Sequence, residues 1–108
     1  MNPIKQSLTD LFDRIPRRHS TDNVKEIYGI ADEYEDLLTT IEAENSFYEK
    51  QIAPFFDELE QVRTSIKKST DSKASKKNKD SFFDEASGML KDSVQSLLEL
   101  YGDGGRME

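Results

Sequence analysis

The sequence predicts an all-α protein: a long, kinked coiled-coil-type helix with a short N-terminal helix and a C-terminal helix folded back on it antiparallel. Three observations predict it. Apolar residues recur at helical spacing in three segments, no strand-like alternation interrupts them, and the middle segment keeps a seven-residue repeat over six heptads. The expectation is a three-helix bundle forming one domain over residues 1–108, with dimerisation of that bundle as a further expectation.

The first helix is expected over 3–15. Asn2 can cap it, Pro3 suits the first helical position, and Ile4, Leu8, Leu11, Phe12 and Ile15 make one apolar stripe. Pro16 stops it, and Arg17-Arg18-His19-Ser20-Thr21-Asp22 reads as a polar turn.

Asn23 and Glu26 have capping-box spacing ahead of the strongest pattern in the chain. With Val24 at heptad position a, the a positions are Val24, Ala31, Leu38, Asn45, Ile52, Leu59 and Ile66. The d positions are Ile27, Tyr34, Ile41, Tyr48, Phe55 and Val62. Only Asn45 is polar. A hydrophobic content of 34% would place roughly four apolar residues on thirteen such positions by chance. This predicts one helix over 24–66, a rod of about 65 Å at the usual rise, kinked at Pro54 but continuous through it.

Residues 67–80 carry six lysines and no apolar side chain larger than Ala74, so they are expected to be a flexible Lys/Ser-rich loop that adds nothing to the core. The last helix is expected over 82–101, with Phe83, Ala86, Leu90, Val94, Leu97 and Tyr101 on one face and Gly102 as its stop.

Charge is unevenly spread. The total is −7, but residues 24–66 carry three positive and eleven negative charges, whereas 67–80 carry six positive and two negative. The absence of cysteine excludes a disulfide framework, a thiolate nucleophile and a zinc-finger ligand set. Neither a membrane-length apolar run nor a signal-peptide layout is present, which gives a cytoplasmic expectation and no membrane partner.

Little here suits catalysis. His19 is the only histidine and is expected to be a solvated turn residue; no serine or threonine has a sequence-visible activating base. The cluster Asp32, Glu33, Glu35 and Asp36 reads as a solvated acidic face. Tyr34 and Tyr48 read as core with their hydroxyls at the edge, and Arg17-Arg18-His19-Ser20 as an ordinary polar turn that also matches a basophilic kinase pattern. No phosphate-binding loop occurs, so no cofactor and no enzymatic activity are expected.

The expected function is therefore a protein–protein interaction module (adaptor, scaffold, chaperone or inhibitor) acting through its helical faces. Its partner is another protein, in a heteromer or a homo-oligomer. The expected contact residues are Ile41, Asn45, Phe47, Tyr48 and Phe56, around a stretch of seam that two short helices would leave uncovered. The alternative is a nucleic-acid-associated factor using the basic 67–80 segment through Lys76, Lys77 and Lys79. The net negative charge disfavours it.

Overall fold

The computed structural model describes residues 3–44 and 46–104, with side-chain surroundings for 4–44 and 46–100. The described residues form four helices and no strand: α1 (Pro3–Arg14), α2 (Thr21–Glu42), α3 (Ser46–Ser69) and α4 (Lys76–Gly104).

α1 opens on Pro3 and ends on Arg14, one residue short of the expected limit. α2 begins three residues earlier than the Asn23–Glu26 spacing implied. Ser20, in extended conformation, is its cap and accepts from the Asn23 backbone N–H at 3.1 Å. Asn23 reaches back instead of capping, and its side-chain amide donates to the Arg18 carbonyl at 2.7 Å.

The helix expected to run unbroken over 24–66 is two helices. α2 stops at Glu42, where the Ala43 N–H bonds the Thr39 carbonyl and the Glu44 N–H bonds the Ile41 carbonyl. Ala43 and Glu44 form a turn, and α3 starts at Ser46. α3 then continues through Pro54, whose exposed position leaves the packed face of the helix intact. The seam itself lies where the repeat puts it. Every described a and d residue from Ile27 to Ile66 is buried, and Val24 packs partly against the same core. An apolar stripe is satisfied equally well by a partner helix or by the same chain folded back on itself.

The basic stretch is mostly helical too. α3 extends to Ser69, whose hydroxyl donates to the Ile66 carbonyl at 2.6 Å, and the chain turns over only 70–75. α4 starts at Lys76, with Ser75 as cap accepting from the Asn78 N–H at 3.1 Å. Three lysines in the opening turn oppose the helix dipole, which is why the sequence places this start near Phe82 instead. Ser69 is fully buried, so the segment does contribute to the packed interior.

The four helices close a ring in which α2 packs on α3, α3 on α4, and α1 on both α2 and α4. Named contacts fix their directions. Arg14 meets Glu33 near the end of α1, while Gln6 and Ser7 line a groove with Leu37 and Thr40. Arg63 reaches Asp32 and Glu35, and Lys68 lies over the Phe82 ring while Gln61 sits beside Met89 and Ser93. Lys91 lies over the Phe12 ring, and Ser87 donates to the Pro16 carbonyl at 2.7 Å. Each neighbour is therefore antiparallel, and the bundle runs up, down, up, down with extents of 51 × 23 × 17 Å.

One buried polar contact crosses the core. The Tyr34 hydroxyl, expected at an edge, lies 2.7 Å from the Ser93 hydroxyl with both side chains buried. Burial pushes the Tyr34 phenol well above its ordinary 10.0, and the Ser93 contact opposes that only in part. The unfolded chain therefore ionises this phenol first. The stability held by neutral Tyr34 is complete below pH 10.0 and is lost as pH rises beyond it. Ser93→Ala, which leaves the hydroxyl buried and unpaired, should cost about 1–3 kcal/mol in urea unfolding. Tyr34→Phe/Ser93→Ala should cost less than the two single changes together, and its alkaline loss of stability should be shallower than that of the wild type. Additive costs would mean that the two hydroxyls do not interact.

Candidate interaction surfaces

The antiparallel arrangement sorts the connections to two ends. The α2–α3 turn lies at one end. The α1–α2 connection and the α3–α4 turn share the other, joined by His19, whose Nδ1 is 3.5 Å from an Asp80 carboxylate oxygen and whose ring meets Phe83 edge-on at 5.7 Å. His19 is thus half-buried between elements and not a solvated turn residue.

At the α2–α3 end, the expected contact residues separate into different environments. Ile41 is fully buried and Tyr48 is 8% exposed, so both belong to the core and neither presents a face to a partner. Asn45 lies outside the described residues. Phe56 is partly buried against the core. Phe47 stands out, 46% exposed, with its ring edge-on to Tyr48 at 5.3 Å. Nine residues separate Phe47 from Phe56, which at about 100° per residue puts them on opposite sides of α3. They do not form one patch. Glu44 and Glu49 are exposed beside Phe47 in the chain and give this end an acidic rim.

The acidic cluster on α2 is engaged by two arginines. Arg63 Nη2 donates to Asp32 at 2.8 Å and to Glu35 at 2.9 Å, and Arg14 Nη2 donates to Glu33 at 2.9 Å while its Nε meets Asp10 at 3.0 Å. Burial works against the Arg63 cation, but the hydrogen bonds with Glu35 and Asp32 outweigh it, and its ionisation moves upward. These pairs tie α3 and α1 to α2. Because the acidic partners stay largely in water, such pairs orient the helices more than they stabilise them. Sequence spacing hides the pairs between helices, since those partners lie 19 to 31 residues apart.

At the opposite end, Lys76 and Lys77 are exposed and Lys79 is partly buried on the first turns of α4, with exposed Arg17 and Arg18 on the neighbouring connection. Among the described residues no group of three or more His, Asp or Glu is placed to hold a metal ion, and no helix is long and apolar enough to cross a membrane. No known protein family, curated protein or solved structure compared with the chain matches it.

Proposed function

We propose that the chain is a non-enzymatic interaction module of the cytoplasm, an adaptor, scaffold, chaperone or inhibitor, that docks another protein at its α2–α3 end. The observation that supports this is Phe47: a large apolar side chain 46% exposed, at the end that also carries the exposed Glu44 and Glu49, on a bundle whose other large apolar side chains are buried or partly buried among the described residues. An aromatic anchor supplies binding energy, and the surrounding acidic residues steer a partner helix of basic character. The seam that argued for dimerisation is occupied within the chain by the return of α3, which favours a heterologous partner over a second copy.

Phe47→Ala gives up the edge contact with Tyr48 but empties no buried position, and should weaken partner affinity by about 2 kcal/mol, roughly thirtyfold. Tagged wild type and variant, purified from the native host and compared by mass spectrometry, should differ in one retained protein. Identical retained sets would sink the reading. Sedimentation equilibrium that shows a Phe47-dependent dimer would replace the heterologous partner with a second copy.

A further inference from the structure

The fold assembles a basic pole that neither of its contributing segments makes alone. Residues 15–23 and 67–80 together hold eight positive and three negative charges, net +5, which leaves −12 for the rest of a chain whose total is −7. The His19–Asp80 contact joins the two segments, and the Ser87–Pro16 hydrogen bond ties the first of them to α4 further along that helix. Two of the three carboxylates are turned to internal work: Asp71 accepts the Lys73 backbone N–H at 2.9 Å, and Asp80 faces His19. Arg17, Arg18, Lys67, Lys73, Lys76 and Lys77 are exposed.

We infer that this pole binds the phosphodiester backbone of nucleic acid, without sequence preference, at a site separate from the Phe47 end. Net charge is the wrong quantity by which to exclude it. Charges on opposite ends of a bundle 51 Å long are several screening lengths apart, since that length is about 8 Å at physiological ionic strength. A phosphate approaching end-on senses the pole and little of the far acidic end. The exposed Asp84 and Glu85, about one turn beyond Asp80 on α4, lower the potential of the pole without cancelling its excess of positive charge. The arginine pair offers forked donors that match phosphate oxygens, and the lysines add mobile point charges around them. Base stacking has no platform here: Phe83 is buried, and Phe82 is partly buried beneath Lys68. Contacts are therefore confined to the backbone, which carries no sequence information. An anionic membrane would be attracted by the same charges, but stable attachment takes a second, apolar signal, and the exposed large apolar side chain among the described residues stands at the other end.

The test is a fluorescence anisotropy titration of the full chain into a labelled mixed-sequence DNA duplex and a labelled single-stranded RNA, at about 50 mM monovalent salt and upward. Arg17→Ala/Arg18→Ala and Lys73→Ala/Lys76→Ala/Lys77→Ala are compared with wild type, with circular dichroism confirming unchanged helicity of these surface variants. Each variant should lose about tenfold or more in affinity, and the slope of log affinity against log salt should fall by about one for each phosphate contact removed. Failure of the wild type to bind either nucleic acid overturns the inference. So does an arginine variant that binds as wild type does, because the pole would then not be composite. Capture on phosphatidylserine vesicles with neither nucleic acid bound would reassign the surface to a membrane.

Discussion

Truncation of Phe83 to alanine is expected to cost about 3–5 kcal/mol, a large share of the 5–15 kcal/mol that holds a typical domain folded. Phe83 is fully buried near the start of α4 and is among the largest buried side chains of the core. Its ring also meets His19, so its loss opens a cavity and loosens the connection between α1 and α2 together. Guanidinium unfolding followed by circular dichroism measures the loss. A cost below about 1 kcal/mol would be that of a surface substitution and would remove α4 from the position described.

Pro54→Ala is expected to act in the other direction and stabilise the protein by up to about 3 kcal/mol, the penalty of proline in a helix interior. Pro54 lies inside α3 and is exposed, so alanine at this position sacrifices no core contact. Alanine restores an N–H that can bond the carbonyl of Lys50, one turn earlier, and relieves the crowding of that turn by the proline ring. A thermal scan should show the midpoint rising by several degrees, since about 1 kcal/mol corresponds to roughly 4–8 °C in a domain of this size. A fall in the midpoint would show that neighbouring helices are packed against a proline-shaped bend that alanine cannot keep.

The core was legible in the sequence because burial follows periodicity, and α2 and α3 bury the residues that the heptad pattern selects. Chain reversal was not, because the register carries across Ala43 and Glu44 without a phase shift, so a hairpin and a rod have the same pattern. A signal for a helix start existed: Ser46 and Glu49 have the spacing of a capping box, and α3 begins within one residue of where that box would start it, with Ser46 its first helical residue and Glu49 in its first turn. The buried serines at 65, 69, 87 and 93 were illegible for a different reason. A hydroxyl on a helix reads as surface until its acceptor is known, and Ser87 and Ser93 find theirs more than fifty residues away, at Pro16 and Tyr34. The same distance in sequence hid the basic pole. Arg17 and Arg18 look like an isolated pair until the ring of helices brings the lysines of α4 to the same end.

That ring has a consequence for how the protein is made. Three of its four extensive contacts, α1 with α2, α2 with α3 and α3 with α4, join consecutive helices and can form by short-range hairpin closure. The fourth, between α1 and α4, spans most of the chain and closes the bundle. On a ribosome α4 is synthesised after the other three helices, so until it emerges the apolar stripes of α1 and α3 lack its surface. Until α4 has been made the emerging segment is a set of open hairpins, and the native core and the basic pole come into being together once it docks.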